Sequence, residues 1–396
     1  MEALRRTYTR LIQETETKQF RYLYSKIRWT NRLIGIMGAR GVGKTTLLLQ
    51  HIKNSFPNRD IALYVSLDNI WFATNRLIDL AERFYAYGGT HLFLDEVHRY
   101  TGWANEIKNI YDSFPRLHIV FTSSSILEMY KSQVDLSRRV VCYSMFGLSF
   151  REFLLFENKL EEEPVTLDEI LTNHQYLAEN ISGKLKILPE FRNYLSYGYY
   201  PYYKEGIEDY SSRVHSVIDL TLYNDLPAVE NVEYITIQKI KKLLMIIASL
   251  SPYSPNITRL SNDIETNRST TLKYLNYLQK AALLRLLLPA QKTMGILSKP
   301  EKIFLDNSNL LYSLVENANI GNVRETYFAN QIAVNHFITS IEQGDFRVDD
   351  KYIFEIGGKS KNYEQIKNLK NSFIAADDLE IGFGNKIPLW LFGFLY

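Results

Sequence analysis

Residues 32–53 read RLIGIMGARGVGKTTLLLQHIK. This segment opens with a short apolar run rich in Ile, passes through GARGVGKT at 38–45, and closes with TLLLQHIK, which has the length and composition of a helix. The glycines, the lysine and the threonine of its middle part satisfy the spacing G-x-x-x-x-G-K-[ST]. A strand, a glycine-rich loop and a helix in this order predict a loop that binds phosphate groups.

Each residue type in this loop has a physical reason to be there. Glycines let backbone N–H groups wrap a phosphate where a Cβ would obstruct the turn, and the positive end of the following helix adds to the field. Lys44 would reach the β- and γ-phosphates of ATP, and the Thr45 hydroxyl would ligate Mg²⁺. A chance match is the alternative, and the strand before and the helix after disfavour it. The residues expected to hold the nucleotide are Gly38, Ala39, Arg40, Gly41, Val42, Gly43, Lys44, Thr45 and Thr46.

A second acidic motif, HLFLDEV at 91–97, follows at a distance that fits intervening strand and helix units. Its apolar part predicts a strand that ends at Asp95, which would hold the Mg²⁺ shell together with Thr45. Glu96, on the other face of the extended chain, would orient and polarise the attacking water. The alternative is a strand that ends in two solvated acids.

Two further apolar runs predict strands, Ile61–Leu67 and Leu117–Phe121. Strands separated by helical stretches imply a parallel sheet covered on both faces, in which ligands bind beyond the carboxyl ends of the strands. Thr122 or Ser123 would then contact the γ-phosphate or the attacking water, and we assign Ser123 to the nucleotide site. A hydroxyl cluster after a strand is alternatively a helix cap.

Further motifs carry a family resemblance: FLDEVHRY at 93–100, IKNIYD at 107–112, TSSSIL at 122–127 and DLSRRVVCYSMFGLSFREFL at 135–154. With the glycine-rich loop they resemble the AAA+ ATPases, specifically the bacterial and archaeal group that adds a winged helix and a restriction-endonuclease-like domain of unknown function. The resemblance implies an α/β fold and ATP hydrolysis with Glu96 and Lys44 as catalytic residues. The expected domains are a P-loop AAA+ core at 1–148, a helical lid or bridge at 149–235, a winged helix at 236–300 and a restriction-endonuclease-like domain at 301–396.

Within DLSRRV, the resemblance places an arginine where an arginine finger would lie. The matching residue is Arg139, with Arg138 beside it. Such a finger would reach the γ-phosphate of a neighbouring subunit and would make catalysis depend on a homo-oligomer. The alternative is that both arginines pair with local acids such as Asp135.

Residues 257–288 contain two helical stretches around a polar turn and then a strand-like run, which is a winged-helix pattern. The second stretch, predicted to open at Ser269, carries Arg268, Lys273 and Lys280, a modest footprint for the phosphates of DNA. The alternative is a packing module, which the balanced charge of the chain favours.

The C-terminal part holds two acids on predicted paired strands, Asp345 and Glu355, and a third on a helix, Glu325. With Lys359 these residues are similar to the divalent-metal site of restriction-endonuclease-like nucleases. The nuclease pattern places lysine two residues after the glutamate, where this chain has Gly357. A β-bulge would restore the geometry, and a decayed fold retained for binding is the alternative.

Bulk composition excludes several classes. With 396 residues, 46% of them hydrophobic, the chain is long enough for two or three domains with real cores. A formal net charge of +2 argues against a surface devoted to nucleic acid or anionic membrane. The single cysteine, Cys142, and the lack of a secretion signal or an apolar run of spanning length predict a cytoplasmic protein without membrane contact.

Three functions are compatible with these features. The first is an ATP hydrolase whose nucleotide state is coupled to the winged-helix and C-terminal domains. The second is a slow or non-hydrolysing nucleotide-gated switch that binds DNA or a protein partner. The third, and weakest, is an ATP-dependent nuclease.

Overall fold

The computed structural model describes residues 1–123, 136, 138–250, 254–288 and 299–396. These residues form two compact units. The first comprises Met1–Gly147 and Leu220–Glu233, and the second comprises Leu148–Asp219 and Tyr234–Tyr396. The segment 220–233 therefore belongs to the first unit, although the chain on both sides of it belongs to the second.

The first unit is built on a five-stranded parallel sheet in the order β2-β3-β4-β1-β5. Its inner strands are almost fully buried, as expected for apolar runs in a parallel sheet that is covered on both faces. The predicted α/β architecture is confirmed. The strands are β1 (Leu33–Met37), β2 (Ala62–Ser66), β3 (His91–Asp95), β4 (His118–Ser123) and β5 (Val141–Ser144).

Helices flank this sheet. The N-terminal helix buries Leu4, Tyr8 and Ile12, which share one face because they are four residues apart. In the segment 220–233, a π-helical turn at Thr221–Asp225 leads into a short helix at Leu226–Val229. The other helices of this unit are α1 (Glu2–Glu14), α2 (Leu23–Lys26), α3 (Lys44–Ser55), α4 (Leu77–Ala86) and α5 (Trp103–Ser113).

The second unit contains a mixed sheet in the order β12-β11-β10-β9-β8, with parallel pairs among β10, β11 and β12 and antiparallel pairs elsewhere. A separate antiparallel hairpin pairs β6 with β7. A C-terminal α/β sheet is thus present, as predicted. The strands are β6 (Leu284–Leu287), β7 (Lys302–Leu305), β8 (Ile338–Thr339), β9 (Phe346–Val348), β10 (Tyr352–Gly357), β11 (Ser372–Ala376) and β12 (Lys386–Pro388).

Large aromatic residues are buried in the second unit, among them Tyr194, Tyr327 and Trp390, each at most 1% exposed. Three helices of this unit, α11 to α13, precede the β6–β7 hairpin. The short helix of the segment 220–233 is α10 (Leu226–Val229), and the last residue of α9 also lies in the first unit. The helices of the second unit are α6 (Phe150–Phe156), α7 (Leu167–Ser182), α8 (Ile187–Tyr197), α9 (Tyr210–Leu220), α11 (Tyr234–Leu250), α12 (Ile257–Asp263), α13 (Arg268–Lys280), α14 (Ser308–Leu314) and α15 (Ile320–Ile332).

His51 on α3 lies inside an aromatic cluster of the first unit. Its ring stacks on Trp29 at a centroid distance of 3.6 Å, and the rings of Phe56 and Phe93 lie about it at 5.8 and 6.0 Å. Burial lowers the pKa of His51 to about 4, because the charged imidazolium would lose its hydration. The folded protein therefore holds this imidazole neutral at a pH where the unfolded chain has already bound a proton.

This burial predicts acid sensitivity of the first unit. The folded pKa is below the unfolded value of about 6.5, so stability falls as the pH falls from about 6.5 towards 4. We expect His51 alone to remove about 2 kcal/mol from the free energy of unfolding between pH 7 and pH 5. In His51→Phe this part of the loss should disappear in urea titrations at the two pH values. An identical loss in the variant and the wild type would show that His51 does not contribute.

Candidate functional site

The glycine-rich loop connects the end of β1 at Met37 to the start of α3 at Lys44. Gly41 and Gly43 have φ angles of 84° and 98°, in the left-handed region that L side chains rarely adopt. A Cβ on Gly38 would lie 2.3 Å from the carbonyl oxygen of Met145. The conformation of the loop therefore requires glycine at these three positions.

Lys44, the first residue of α3, is only 4% exposed. Its Nζ donates to the carbonyl oxygens of Gly38 at 2.9 Å and Ala39 at 3.0 Å. Burial lowers the pKa of Lys44, and the carboxylates of Glu96 and Asp95 oppose this effect. The amine is thus held on the loop itself, where the sequence predicted a contact with phosphates.

Asp95, the last residue of β3, joins the acidic motif to the glycine-rich loop. Its Oδ2 accepts a 2.6 Å hydrogen bond from the Thr45 hydroxyl and a 2.8 Å bond from the Tyr64 hydroxyl, while its Oδ1 accepts one from Thr122. Hydroxyl and carboxylate oxygens are the hard ligands that Mg²⁺ prefers. The donor set of Thr45 and Asp95 therefore fits the predicted metal ion.

Glu96 departs from the extended geometry expected of it. The strand ends at Asp95, and Glu96 has a φ of 53°, so that the backbone turns into the short 3₁₀ segment Val97–Arg99. The Glu96 N–H donates to the Thr122 hydroxyl at 3.1 Å, which holds this turn. Its Oε2 is buried and, among the described atoms, accepts no hydrogen bond. A buried carboxylate oxygen without a hydrogen bond is suited to a water or a ligand.

Asp225, in the segment 220–233, completes a charged cluster beside the loop. Arg40 donates to both carboxylate oxygens of Asp225, from Nη2 at 2.8 Å and from Nε at 3.1 Å. The same Nη2 lies 3.7 Å from Glu96 Oε2. His98 Nε2 lies 3.4 Å from Glu96 and 3.4 Å from Asp225.

The electrostatics of Asp225 follow from these neighbours. Burial raises its pKa, but the hydrogen bonds from His98 and Arg40 outweigh burial and hold the pKa well below its usual range. Sequence reasoning missed this residue. Asp225 lies 185 residues after Arg40 and is one of 44 acidic residues, and no local pattern distinguishes it.

The remaining predicted nucleotide contacts occupy different environments. Val42 and Ser123 are fully buried, whereas Thr46 is exposed. The Ser123 carbonyl accepts from the Gly38 N–H at 3.3 Å, and it is the neighbouring Thr122 hydroxyl that binds Asp95. The assignment of Ser123 to the nucleotide stays a prediction. The roles of Tyr64 and Thr122 in holding Asp95 were not predicted and appear only when adjacent strands are paired.

Arg139 forms a two-bond fork with a local acid. Its Nε and Nη2 each donate to Asp112 on α5 at 3.0 Å. Arg138 is exposed, and Asp135, named as an alternative partner, lies outside the described residues. Within a single chain the geometry agrees with a local ion pair, and a role of Arg139 in a neighbouring subunit stays a prediction.

The predicted second acidic site is assembled differently from the expectation. Lys302 Nζ lies 3.4 Å from Glu325 and 3.3 Å from Asp345, and Lys361 pairs with Glu355. Burial and the nearby Asp345 raise the pKa of Glu325 to about 7. Across the described ranges, no group of three or more Asp, Glu, His or Cys side chains is arranged to hold a metal ion.

The assignment of Lys359 to this cluster is corrected. Strand β10 ends at Gly357, and Lys359 is exposed beyond it. A turn closed by the Lys361 N–H to Gly358 carbonyl bond brings the Lys361 side chain within 2.7 Å of where a Cβ on Gly357 would lie. The Lys361 side chain thus lies beside Gly357, which is the position two residues after Glu355 where the nuclease pattern has its lysine.

The basic residues predicted to contact DNA lie on α13. Arg268 and Lys273 are exposed and Lys280 is half-buried. The Lys273 amine lies 5.4 Å from the centroid of the Tyr277 ring on the same helix. DNA contact through this helix stays a prediction. None of the helices in the described ranges has the length and apolar character needed to cross a membrane.

The parallel sheet, the loop after β1, and the Thr45–Asp95 pair together define a P-loop nucleotide-binding protein. Residues 30–154, which contain all five strands of this sheet, match the family described as AAA domain. This part of the chain is an AAA domain, and the predicted AAA+ class is confirmed. Residues 188–320 match a family described as Domain of unknown function (DUF8612).

Individual proteins are also similar to this chain. The uncharacterized protein MJ1637 of Methanocaldococcus jannaschii is 28% identical over 287 residues, which cover 68% of this chain and only 60% of that protein. AMPPCP-bound DnaA from Aquifex aeolicus aligns at 17% identity with a TM-score of 0.29, covering 70% of this chain and 88% of DnaA. PCH-2 of C. elegans aligns at 19% identity with a TM-score of 0.26, covering 42% of this chain and 50% of PCH-2. At TM-scores this low, neither structure bears on the function of this chain.

Proposed function

We propose that this ATP-binding AAA+ protein hydrolyses ATP with Mg²⁺. The observation that supports this most is the 2.6 Å hydrogen bond between Thr45 and Asp95. It joins two motifs that lie 50 residues apart, and the sequence pattern of each predicts a ligand of the same metal ion. A glycine-rich turn or an acidic strand end without nucleotide chemistry would not require this juxtaposition.

Each residue of the site has a distinct role in this reaction. The loop amides and Lys44 would bind the β- and γ-phosphates, and Thr45 and Asp95 would hold Mg²⁺. When bound, Mg²⁺ would supply positive charge against the phosphate oxygens. Glu96 orients the attacking water and accepts its proton through the oxygen that has no hydrogen bond in the described structure. Tyr64 and Thr122 keep Asp95 in place from the neighbouring strands.

The experiment that tests this proposal replaces Glu96 with Gln, which keeps the shape of the side chain and removes its basicity. We expect ATP turnover to fall about 100-fold or more, because a general base contributes on that order, while ATP binding persists. Glu82→Gln, which changes an exposed glutamate of the same unit, is the matched control and should turn over ATP like the wild type. Equal turnover in Glu96→Gln and the wild type would refute hydrolysis at this site.

A second function is favoured by the neighbours of Glu96. Arg40 and His98 lie 3.7 and 3.4 Å from its carboxylate, near enough for a small movement of Arg40 to pair it with the base. A nucleotide-gated switch would make this pair after ATP binds and would present its other parts to DNA or a protein. Tight ATP binding by a wild type that does not hydrolyse ATP above Glu96→Gln would support the switch instead of the hydrolase.

The proposal has three finer elements: coupling to the second unit, a homo-oligomer, and a binding role for the C-terminal sheet. We propose that nucleotide state is coupled to the second unit, with residues 236–300 as its winged helix. A homo-oligomer would allow Arg139 to exchange Asp112 for a neighbouring γ-phosphate. The lysines that pair with Glu325, Asp345 and Glu355 support a binding role for the C-terminal sheet more than nuclease chemistry.

A further inference from the structure

The segment 220–233 supplies a buried acid to the nucleotide site from outside the AAA match at 30–154. Its π-helical turn ends at Asp225, which is only 3% exposed. Single π-helical turns are rare in proteins, and those that occur are frequently at functional sites. Such a turn places a side chain where a regular helix would not. Asp225 is placed against the glycine-rich loop and the residues after β3.

The contacts of Asp225 are directed at groups that also approach Glu96. Arg40 and His98 each lie between the two carboxylates, and Arg40 is closer to Asp225, at 2.8 Å, than to Glu96, at 3.7 Å. Arg99 binds the same segment, with its Nη1 3.3 Å from the Asn224 carbonyl oxygen. Asp225 and Glu96 therefore share these two neighbours. Arg40 has its shorter bond to Asp225, whereas His98 lies 3.4 Å from each carboxylate.

This competition matters for a catalytic base. A carboxylate that is locked in an ion pair with a guanidinium is a poor acceptor of a proton from water, because protonation would break the pair. If the charge of Asp225 were removed, the half-buried Arg40 would be left with Glu96 as its nearest described carboxylate. The guanidinium would then pair with Glu96, since a partly desolvated charge without a partner is costly.

We propose that Asp225 is a positioning residue that holds Arg40 away from Glu96 and so keeps the base available. This inference rests on the proposed hydrolysis of ATP. Because the chain on both sides of the segment 220–233 belongs to the second unit, Asp225 is covalently tied to that unit at both ends. Withdrawal of Asp225 by the second unit would transfer Arg40 to Glu96 and slow turnover. Asp225 would therefore couple the second unit to catalysis.

The test is a double-mutant cycle in which kcat and KM for ATP are measured for each variant. Asp225→Asn should lower kcat about tenfold with little change in KM, because the base is affected and the phosphate contacts are not. Asp225→Glu, which retains the charge, should keep kcat within a few-fold of the wild type. Asp79→Asn, at an exposed acid of α4, is the matched control and should leave kcat unchanged.

The second half of the cycle removes the cation. In an Arg40→Gln background there is no guanidinium to hold, so adding Asp225→Asn should lower kcat far less than it does in the wild type. This comparison also decides the case in which Asp225→Asn alone does not fold, because the double variant leaves neither of these two charges unpaired. Equal losses of kcat in both backgrounds would overturn the role of Asp225.

Failure of this inference is distinguishable from failure of the proposed function. A wild type that hydrolyses ATP and an Asp225→Asn variant with the same kcat would refute the positioning role and leave hydrolysis standing. A wild type whose turnover equals that of Glu96→Gln would refute hydrolysis and the positioning role with it.

Discussion

Lys44→Ala is expected to lower the affinity for ATP by about 100-fold or more, since losing a charged contact to phosphate in a desolvated site costs about 3 kcal/mol. Lys44 is 4% exposed and its amine is already oriented by two carbonyl oxygens of the loop, so little entropy is lost when the amine meets the phosphates. The measurement is calorimetric titration of each protein with ATP in the presence of Mg²⁺.

Two controls separate binding from folding in this experiment. Lys18→Ala removes an exposed lysine of the same unit and should bind ATP as the wild type does. The melting temperature of Lys44→Ala without nucleotide should stay close to that of the wild type, because the substitution removes a buried charge whose desolvation is unfavourable. Unchanged affinity in Lys44→Ala would show that the loop does not hold the triphosphate.

Asn309→Ala is expected to destabilise the second unit by about 3 to 5 kcal/mol, because it leaves several buried polar groups without partners. Asn309 is fully buried on α14. Its amide nitrogen donates to the carbonyl oxygens of Tyr194 at 3.0 Å and Leu195 at 2.9 Å. Its oxygen accepts from the Tyr199 N–H at 2.8 Å and from the Tyr210 hydroxyl. One side chain therefore satisfies groups on and between three helical segments.

Asn317→Ala is the matched control for this prediction, because Asn317 lies in the loop after α14 and is exposed. It should change the free energy of unfolding by less than about 0.5 kcal/mol. Urea denaturation followed by circular dichroism measures both variants. A loss below about 1 kcal/mol in Asn309→Ala would mean that water replaces the amide, which contradicts a tightly packed site.

The parts of the site that were predictable are those encoded by short-range patterns. The spacing of 38–45 specified a loop with glycine where φ is positive, and both Gly41 and Gly43 have such angles. The apolar runs before Asp95 and Thr122 specified strands whose carboxyl ends meet at one edge of the sheet. Parallel pairing then places the end of β3 at the same edge of the sheet as the loop after β1, and at this edge Asp95 contacts Thr45.

Other features were not predictable because they depend on partners distant in sequence. The sequence analysis assigned Lys359 to the acidic cluster, because a linear spacing does not show that the chain turns after Gly358 and returns Lys361 to Glu355. The Arg139 fork to Asp112 likewise depends on how α5 packs, since no sequence motif at either residue predicts the other as its partner.

The sequence by itself thus determined the class of protein, the phosphate-binding loop and the acidic strand end, because backbone geometry and hydrophobic periodicity act over a few neighbouring residues. Only the tertiary structure decided what surrounds Glu96. Asp225 reaches Arg40 across 185 residues through a segment that folds with the first unit, and an ion pair over that separation leaves no periodic or local trace in the sequence.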